Sequence, residues 1–234
     1  VASLLGMHAI FHPQRQAEEA IEGRDTPLMW GLAILSRWPI ADVHVVQTPP
    51  DPDDGDRPAL LGAVQSPWGA IRVVCLHLTH MRNTLIRERQ LQAVAAAGWL
   101  HEPAIGRLLC GDFNQVPAGP EMRRLFAGDD HSWHVLDTFT AGGGDPDRVT
   151  FSHRNGHVAH IPGQHCLDYI LSLAPSADAH PRFADSAVVL DRPSAADVFP
   201  SDHFGVATTL DPAGLPATAP PGGIVGDWTG VERG

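Results

Sequence analysis

The apolar run Leu108-Leu109-Cys110 leads straight into Gly111-Asp112-Phe113-Asn114, and this junction of a strand with a carboxylate and an amide constrains the chain more than any other stretch. A second junction lies far downstream, where Ser201-Asp202-His203 opens the apolar segment Phe204-Gly205-Val206-Ala207. Between them Asp168 interrupts the strand-like run Leu167-Asp168-Tyr169-Ile170-Leu171. Charged and amide groups on apolar strands cost free energy unless they are paired or bound. Three carboxylates, an amide and an imidazole at strand edges therefore imply one shared polar site. Asp112 and Asn114 are two positions apart, which on an extended strand end points both to the same side; the competing reading is a plain turn, since both residue types form turns readily. Such a set suits phosphate ester hydrolysis, in which carboxylates hold a divalent cation and position water while His and Asn stabilise charge growing on phosphate oxygens.

Strand-like runs recur at 8–11, 32–35, 43–47, 59–64 and 71–78, with Ser66-Pro67-Trp68-Gly69 reading as the turn between the last two. An acidic, proline-rich loop spans 49–58. From Thr84 to His101 the pattern is helical, with Leu85, Leu91, Val94, Ala95 and Trp99 on the expected buried side. A second helix is expected from about Gly119, carrying Met122, Leu125 and Phe126. Residues 141–163, rich in Gly, Asp and His, read as loop with short strands, a wall of the expected cleft. Strands resume at 166–173, 187–190 and 204–210, and after Asp211 the Ala, Gly and Pro content rises and periodicity is lost. The expectation is one domain over 1–210 and a Pro/Gly-rich tail over 211–234. Strand hairpins interspersed with helices favour two packed β-sheets flanked by helices.

Composition narrows the function. The chain has 234 residues, 43% hydrophobic and 18% charged, ordinary for a soluble globular protein. No apolar stretch reaches the roughly 20 residues of a membrane span. All 16 basic residues are Arg, which a GC-rich coding sequence explains, and a lysine nucleophile is excluded. The net charge of -11 disfavours long duplex DNA as substrate, because a protein gripping many phosphates presents a basic surface. Cys75, Cys110 and Cys166 each sit in an apolar run without metal-ligand spacing and read as small buried thiols, a lean towards a reducing, cytoplasmic compartment. His153, His157, His160 and His165 match no closed four-ligand zinc pattern and read as facing solvent or substrate. The tryptophans read as core or hairpin packing.

Further blocks appear in order: Gly31-Leu32-Ala33-Ile34-Leu35-Ser36-Arg37-Trp38-Pro39-Ile40, the strand ending His77-Leu78, and Arg87-Glu88-Arg89-Gln90 on a helix. With the three strand-edge motifs, over roughly residues 1–210, the chain resembles the endonuclease/exonuclease/phosphatase family. The resemblance implies a four-layered α/β sandwich of two mixed β-sheets flanked by helices, with the site at one edge. It implies a divalent-metal-dependent phosphoester hydrolase, a phosphodiesterase using Mg²⁺ or Mn²⁺ and water attacking phosphorus in line, with a phosphodiester or phosphomonoester substrate. Nucleic acid, lipid and small-molecule substrates all stay open.

Residue roles follow the same resemblance. Asp112 positions the water or contacts metal, Asn114 contacts phosphate, and Asp202 is a metal-site carboxylate. His203 contacts phosphate or transfers a proton, and Asp168 orients and charges it; otherwise Asp168 is a buried carboxylate held by backbone donors. His77 stands near the leaving group or phosphate, or is a half-buried strand histidine. Two departures qualify the resemblance. The family's first-strand Asn and metal-binding Glu have no counterparts, Glu18 and Glu19 being too near residues 31–37, so the chain reads as lacking the N-terminal part of the domain. His165 stands where abasic-site nucleases carry Trp, and with His77 it argues against that branch. The rival from another class is a non-catalytic fragment or binding module that keeps the fold.

Overall fold

The computed structural model describes residues 2–16, 29–80, 83–129 and 131–211. After the short helix α1 (Ala2–Leu5), β1 (His8–Gln16) and β2 (Met29–Ser36) form an antiparallel pair. β3 (Ile40–Val46), β4 (Ala59–Ser66) and β5 (Gly69–His77) are followed by α2 (Thr84–Ala95), β6 (Gly106–Asp112), α3 (Pro120–Ala127), β7 (His134–Asp137) and α4 (Thr138–Ala141). Two-residue strands β8 (Phe151–Ser152) and β9 (Gln164–His165) precede β10 (Asp168–Ala174), β11 (Arg182–Val189) and β12 (Gly205–Asp211). Apart from Asp211, the expected tail lies outside the described residues.

Six strands make one mixed sheet in the order β3-β4-β5-β6-β10-β7, with β5 and β6 parallel and the other neighbours antiparallel. A parallel pair needs a crossover connection, and α2 supplies it. One face of the sheet packs on α2 and α3 through Val74, Leu76, Leu91, Val94, Leu109, Met122 and Leu171. The opposite face carries a second β layer. There β1–β2 lies against β3, β4 and β5, and β11–β12 lies against β10 and α4. Strand β2 alternates, turning Leu32, Ile34 and Ser36 inward and Ala33 and Leu35 outward, the period of a strand covered on one side. Leu32 and Ile34 pack on Leu60 with Ile10, Ile40, Val73 and Cys75. Gly62 admits this layer: a Cβ there would come within 2.8 Å of Ile40 and 2.9 Å of Ile10. The fold is thus the expected α/β arrangement of packed sheets flanked by helices.

Several local expectations change. The helix expected over 84–101 stops at Ala95; Ala97 is extended and a separate 3₁₀ turn covers Gly98–His101. Leu85 is 54% exposed, while Arg87 and Gln90 are buried. The inner face of α2 meets irregular chain whose polar groups need partners: Arg87 donates to the carbonyls of Thr79 and His80, and Gln90 accepts from the Thr79 amide and donates to the Pro49 carbonyl. Arg87 is also ion-paired at 2.7 Å with Glu121 of α3. That pair draws Glu121 into the buried stripe of α3 and leaves Phe126 on the outside. Of the tryptophans, Trp99 and Trp133 are core residues and Trp38 packs edge-on against Trp68 at the hairpin, but Trp30 is 66% exposed.

Candidate active site

The sheet register builds the site. His77 of β5 is the lateral partner of Asp112 of β6, and Asp112 is the lateral partner of Asp168 of β10. One imidazole and two carboxylates therefore stand in a single row across three adjacent strands, at the end where β5 and β6 finish and β10 starts. Asp168 is at the mouth of its strand rather than inside it, so its charge sits where the sheet opens. Gly111 makes the row possible. Its φ is +139°, and a Cβ there would lie 1.9 Å from the Leu76 carbonyl oxygen, so any side chain would force β6 away from β5.

Asn114 departs from the extended geometry expected of it. The strand has ended at Asp112, and Asn114 takes a left-handed conformation with φ +50°. Its backbone amide donates to Asp112 Oδ1 at 2.7 Å and its side-chain Nδ2 donates to the Leu78 carbonyl at 2.9 Å. The motif is thus a strand end continuing into a turn. The first bond holds the Asp112 carboxylate, and the second ties the turn to the chain just beyond His77; one Nδ2 hydrogen is left over.

His203 arrives from the far side of the chain. Its Nδ1 lies 2.8 Å from Asp168 Oδ2, and its Nε2 lies 4.0 Å from Asp112 Oδ2. His77 Nε2 lies 3.5 Å from the same Asp112 oxygen. The His203 segment is held by the 150–158 region: Phe204 N donates to Thr150 O, Asn155 Nδ2 donates to Ser201 O at 2.7 Å, and His157 Nε2 reaches Phe199 O at 3.0 Å. Phe151 meets the His203 ring edge-on at 5.0 Å and stacks on His165 at 6.4 Å. The region read as a cleft wall is therefore the clamp on His203, and His165 reaches it through Phe151.

Electrostatics separate the three central groups. Burial, and then the neighbouring Asp168 charge, push Asp112 up to about 7. Burial opposes charge on His203, but the hydrogen bond and charge of Asp168, with the charges of Asp112 and Asp202, outweigh it and raise His203 to about 9. Burial, and then the Arg57 cation, bring His77 down to about 4. At neutral pH His203 is a cation held by Asp168, and His77 is neutral.

The structure thus gathers His77, Asp112, Asn114, Asp168 and His203. Asp202 is exposed at the rim, bonded to Ser201 Oγ at 3.2 Å. Ligand atoms of Asp112, Asp168 and His203 lie within 4.8 Å of one another, the one such group of three or more among the described residues. Within it Asp168 is neutralised by protonated His203, so Asp112 is the carboxylate available to a hard cation. Arg57 escaped the sequence reading: it was absorbed in an acidic loop, and only its isolation as the sole base among acids there marked it.

The sequence of residues 3–203 matches the Endonuclease/Exonuclease/phosphatase family. The chain belongs to that family. No protein of curated function matches it. Among solved structures it is similar to an endonuclease/exonuclease/phosphatase family protein from Leptotrichia buccalis, with 15% identity over 88% of this chain and 71% of that one, TM-score 0.62. It is similar to D. rerio TDP2 complexed with a single-strand DNA product, with 18% identity over 87% and 76%, TM-score 0.61. It is also similar to ANGEL2, a 2',3'-cyclic phosphatase, with 18% identity over 73% and 64%, TM-score 0.55.

Proposed function

We propose that the chain is a divalent-cation-dependent phosphodiesterase in which a phosphate seats over Asp112. The observation that carries this reading is the ion pair His203–Asp168, 2.8 Å long, standing beside Asp112 in one sheet row. A cation paired with one carboxylate and facing a second is an arrangement suited to hydrolysis of a phosphate ester. The Asp112 carboxylate, 4.0 Å from His203 Nε2, would orient the attacking water beside the phosphate. His203, protonated and oriented through Nδ1, presents Nε2–H to a phosphate oxygen whose charge grows in the transition state. The spare Nδ2 hydrogen of Asn114 offers a second donor, and neutral His77 borders the phosphate on the opposite side from His203.

The donor set suits a hard cation: Asp112 would hold Mg²⁺ or Mn²⁺ with water completing the shell, while Asp202 stands outside the group whose ligand atoms meet within 4.8 Å. Bound there, the cation supplies charge neutralisation on a phosphate or leaving oxygen. The net charge of -11 sets long duplex DNA below short nucleic acid, lipid or small-molecule diesters. The neighbour bound to a single-strand DNA product and the neighbour that is a cyclic phosphatase both fit this range.

Turnover of bis-p-nitrophenyl phosphate, with Mg²⁺ or Mn²⁺ and again with EDTA, is the test. Metal-dependent release of p-nitrophenol supports the reading. No turnover under either metal would reject it in favour of a fold retained for binding.

A further inference from the structure

The acidic loop between β3 and β4 brings one cation to the site. The β4–β5 pairing ends at Leu60↔Cys75, so Arg57, just before β4, enters from the end of the sheet where His77 finishes β5. The side chain is fastened there. Nε and Nη2 of Arg57 donate to the two oxygens of Asp54 at 3.2 and 2.5 Å. Asp54 accepts in turn from Thr79 Oγ1 and from the His80 amide, each at 2.9 Å, immediately after the strand that ends in His77. The backbone is fixed as well, since Thr48 Oγ1 donates to the Arg57 carbonyl at 2.8 Å. Nη1 meets no acceptor among the described residues, on a side chain that is 18% exposed. A guanidinium with one edge clamped and the other bare is pre-organised to receive an oxyanion.

Its charge is felt at both His77 and Asp112. Across the sheet the order is then Arg57, His77, Asp112, Asp168 with His203, so that two cations flank Asp112 from opposite sides.

We propose that Arg57 is a substrate-anchoring residue, donating Nη1–H to an oxygen of the phosphate seated over Asp112, so that the phosphate lies between Arg57 and His203. The proposal rests on the phosphate-binding part of the functional reading above but not on turnover.

The simpler alternative is that the Arg57–Asp54 pair only locks the loop. Titration of inorganic phosphate in the presence of EDTA, followed through the His77 and His203 ring signals by NMR, separates the two. The wild-type chain should bind phosphate, and Arg57→Gln should weaken binding about tenfold or more, the weight of a charge-assisted hydrogen bond. Arg57→Lys, which keeps the cation, should recover part of the loss. Asp54→Asn, which loosens the clamp but leaves the guanidinium, should weaken binding less than Arg57→Gln does. Phosphate binding untouched in Arg57→Gln, binding lost equally in Asp54→Asn, or no binding by the wild type at millimolar phosphate would each overturn the proposal. Wild-type turnover of bis-p-nitrophenyl phosphate is read separately: its absence alongside Arg57-dependent phosphate binding would reject the hydrolase reading and leave the anchor standing.

Discussion

At the scale of single residues, the proposed chemistry turns on one proton of His203. Asp168 is what keeps that proton in place against burial. Asp168→Asn removes the charge and weakens the hydrogen bond, so the His203 titration should move down from about 9 towards or below the ordinary 6.5. Activity would then fade as pH rises through that lower value, while below it the variant should approach wild type; imidazole NMR read alongside a pH–kcat profile checks both. In the proposed mechanism His203→Ala takes away a donor that matters chiefly in the transition state. Its kcat should fall about 100-fold or more, roughly 2.7 kcal/mol of barrier, with KM little changed. A variant lacking His203 that turns over at near-normal rate would sink the mechanism.

At the scale of elements, the site depends on two junctions that differ in how visible they were. Asp112, Asp168 and His203 were legible because each is a polar residue at the end of an apolar run, and buried charge has few reasons to be there. The inward turn of Asn114 was not, since spacing alone does not say where a strand stops. The inner face of α2 was hidden for the converse reason: hydrophobic periodicity puts Leu85 inside, whereas the protein buries Arg87 and Gln90 to satisfy carbonyl and amide groups of the neighbouring loops. Strand β7 is only four residues long and gave no periodic signal. Breaking the Arg87–Glu121 pair by Arg87→Met strands a buried carboxylate, and should cost about 3–5 kcal/mol in denaturant unfolding. Gly111→Ala tests the other junction. The backbone strain alone is worth about 1–3 kcal/mol, and the contact with Leu76 adds to it, so both stability and the His77–Asp112 approach should suffer. A variant at Gly111 with unchanged unfolding midpoint would show that β6 has room to give.

On the scale of the whole molecule, acid should loosen the fold from the end of the sheet remote from the site. His180 bonds His134 at 2.8 Å and Ser172 Oγ at 2.8 Å, and burial, with the His134 charge, brings it down to about 4. The unfolded chain, with histidine near 6.5, binds the extra proton first, so stability is full above 6.5 and is lost as pH falls from there to about 4. His77 works in the same direction, whereas the raised His203 adds stability below 6.5 that is lost as pH rises through about 9. Thermal melts from pH 7 to pH 4 should be flatter in His180→Gln than in wild type; identical slopes would assign the acid sensitivity elsewhere. The lateral row of His77, Asp112 and Asp168 has its own arithmetic. Neighbouring strands are about 4.8 Å apart, so the row acts as a gauge whose intervals are set by backbone pairing and not by side-chain choice. A single-residue insertion in β6 would swing Asp112 to the helix face and bring Gly111 into its place, while a two-residue insertion would restore its side but shift it along the strand. Lineages of this architecture are therefore free to lengthen or shorten the loops at the open edge, and held almost to the residue within the strands that end there.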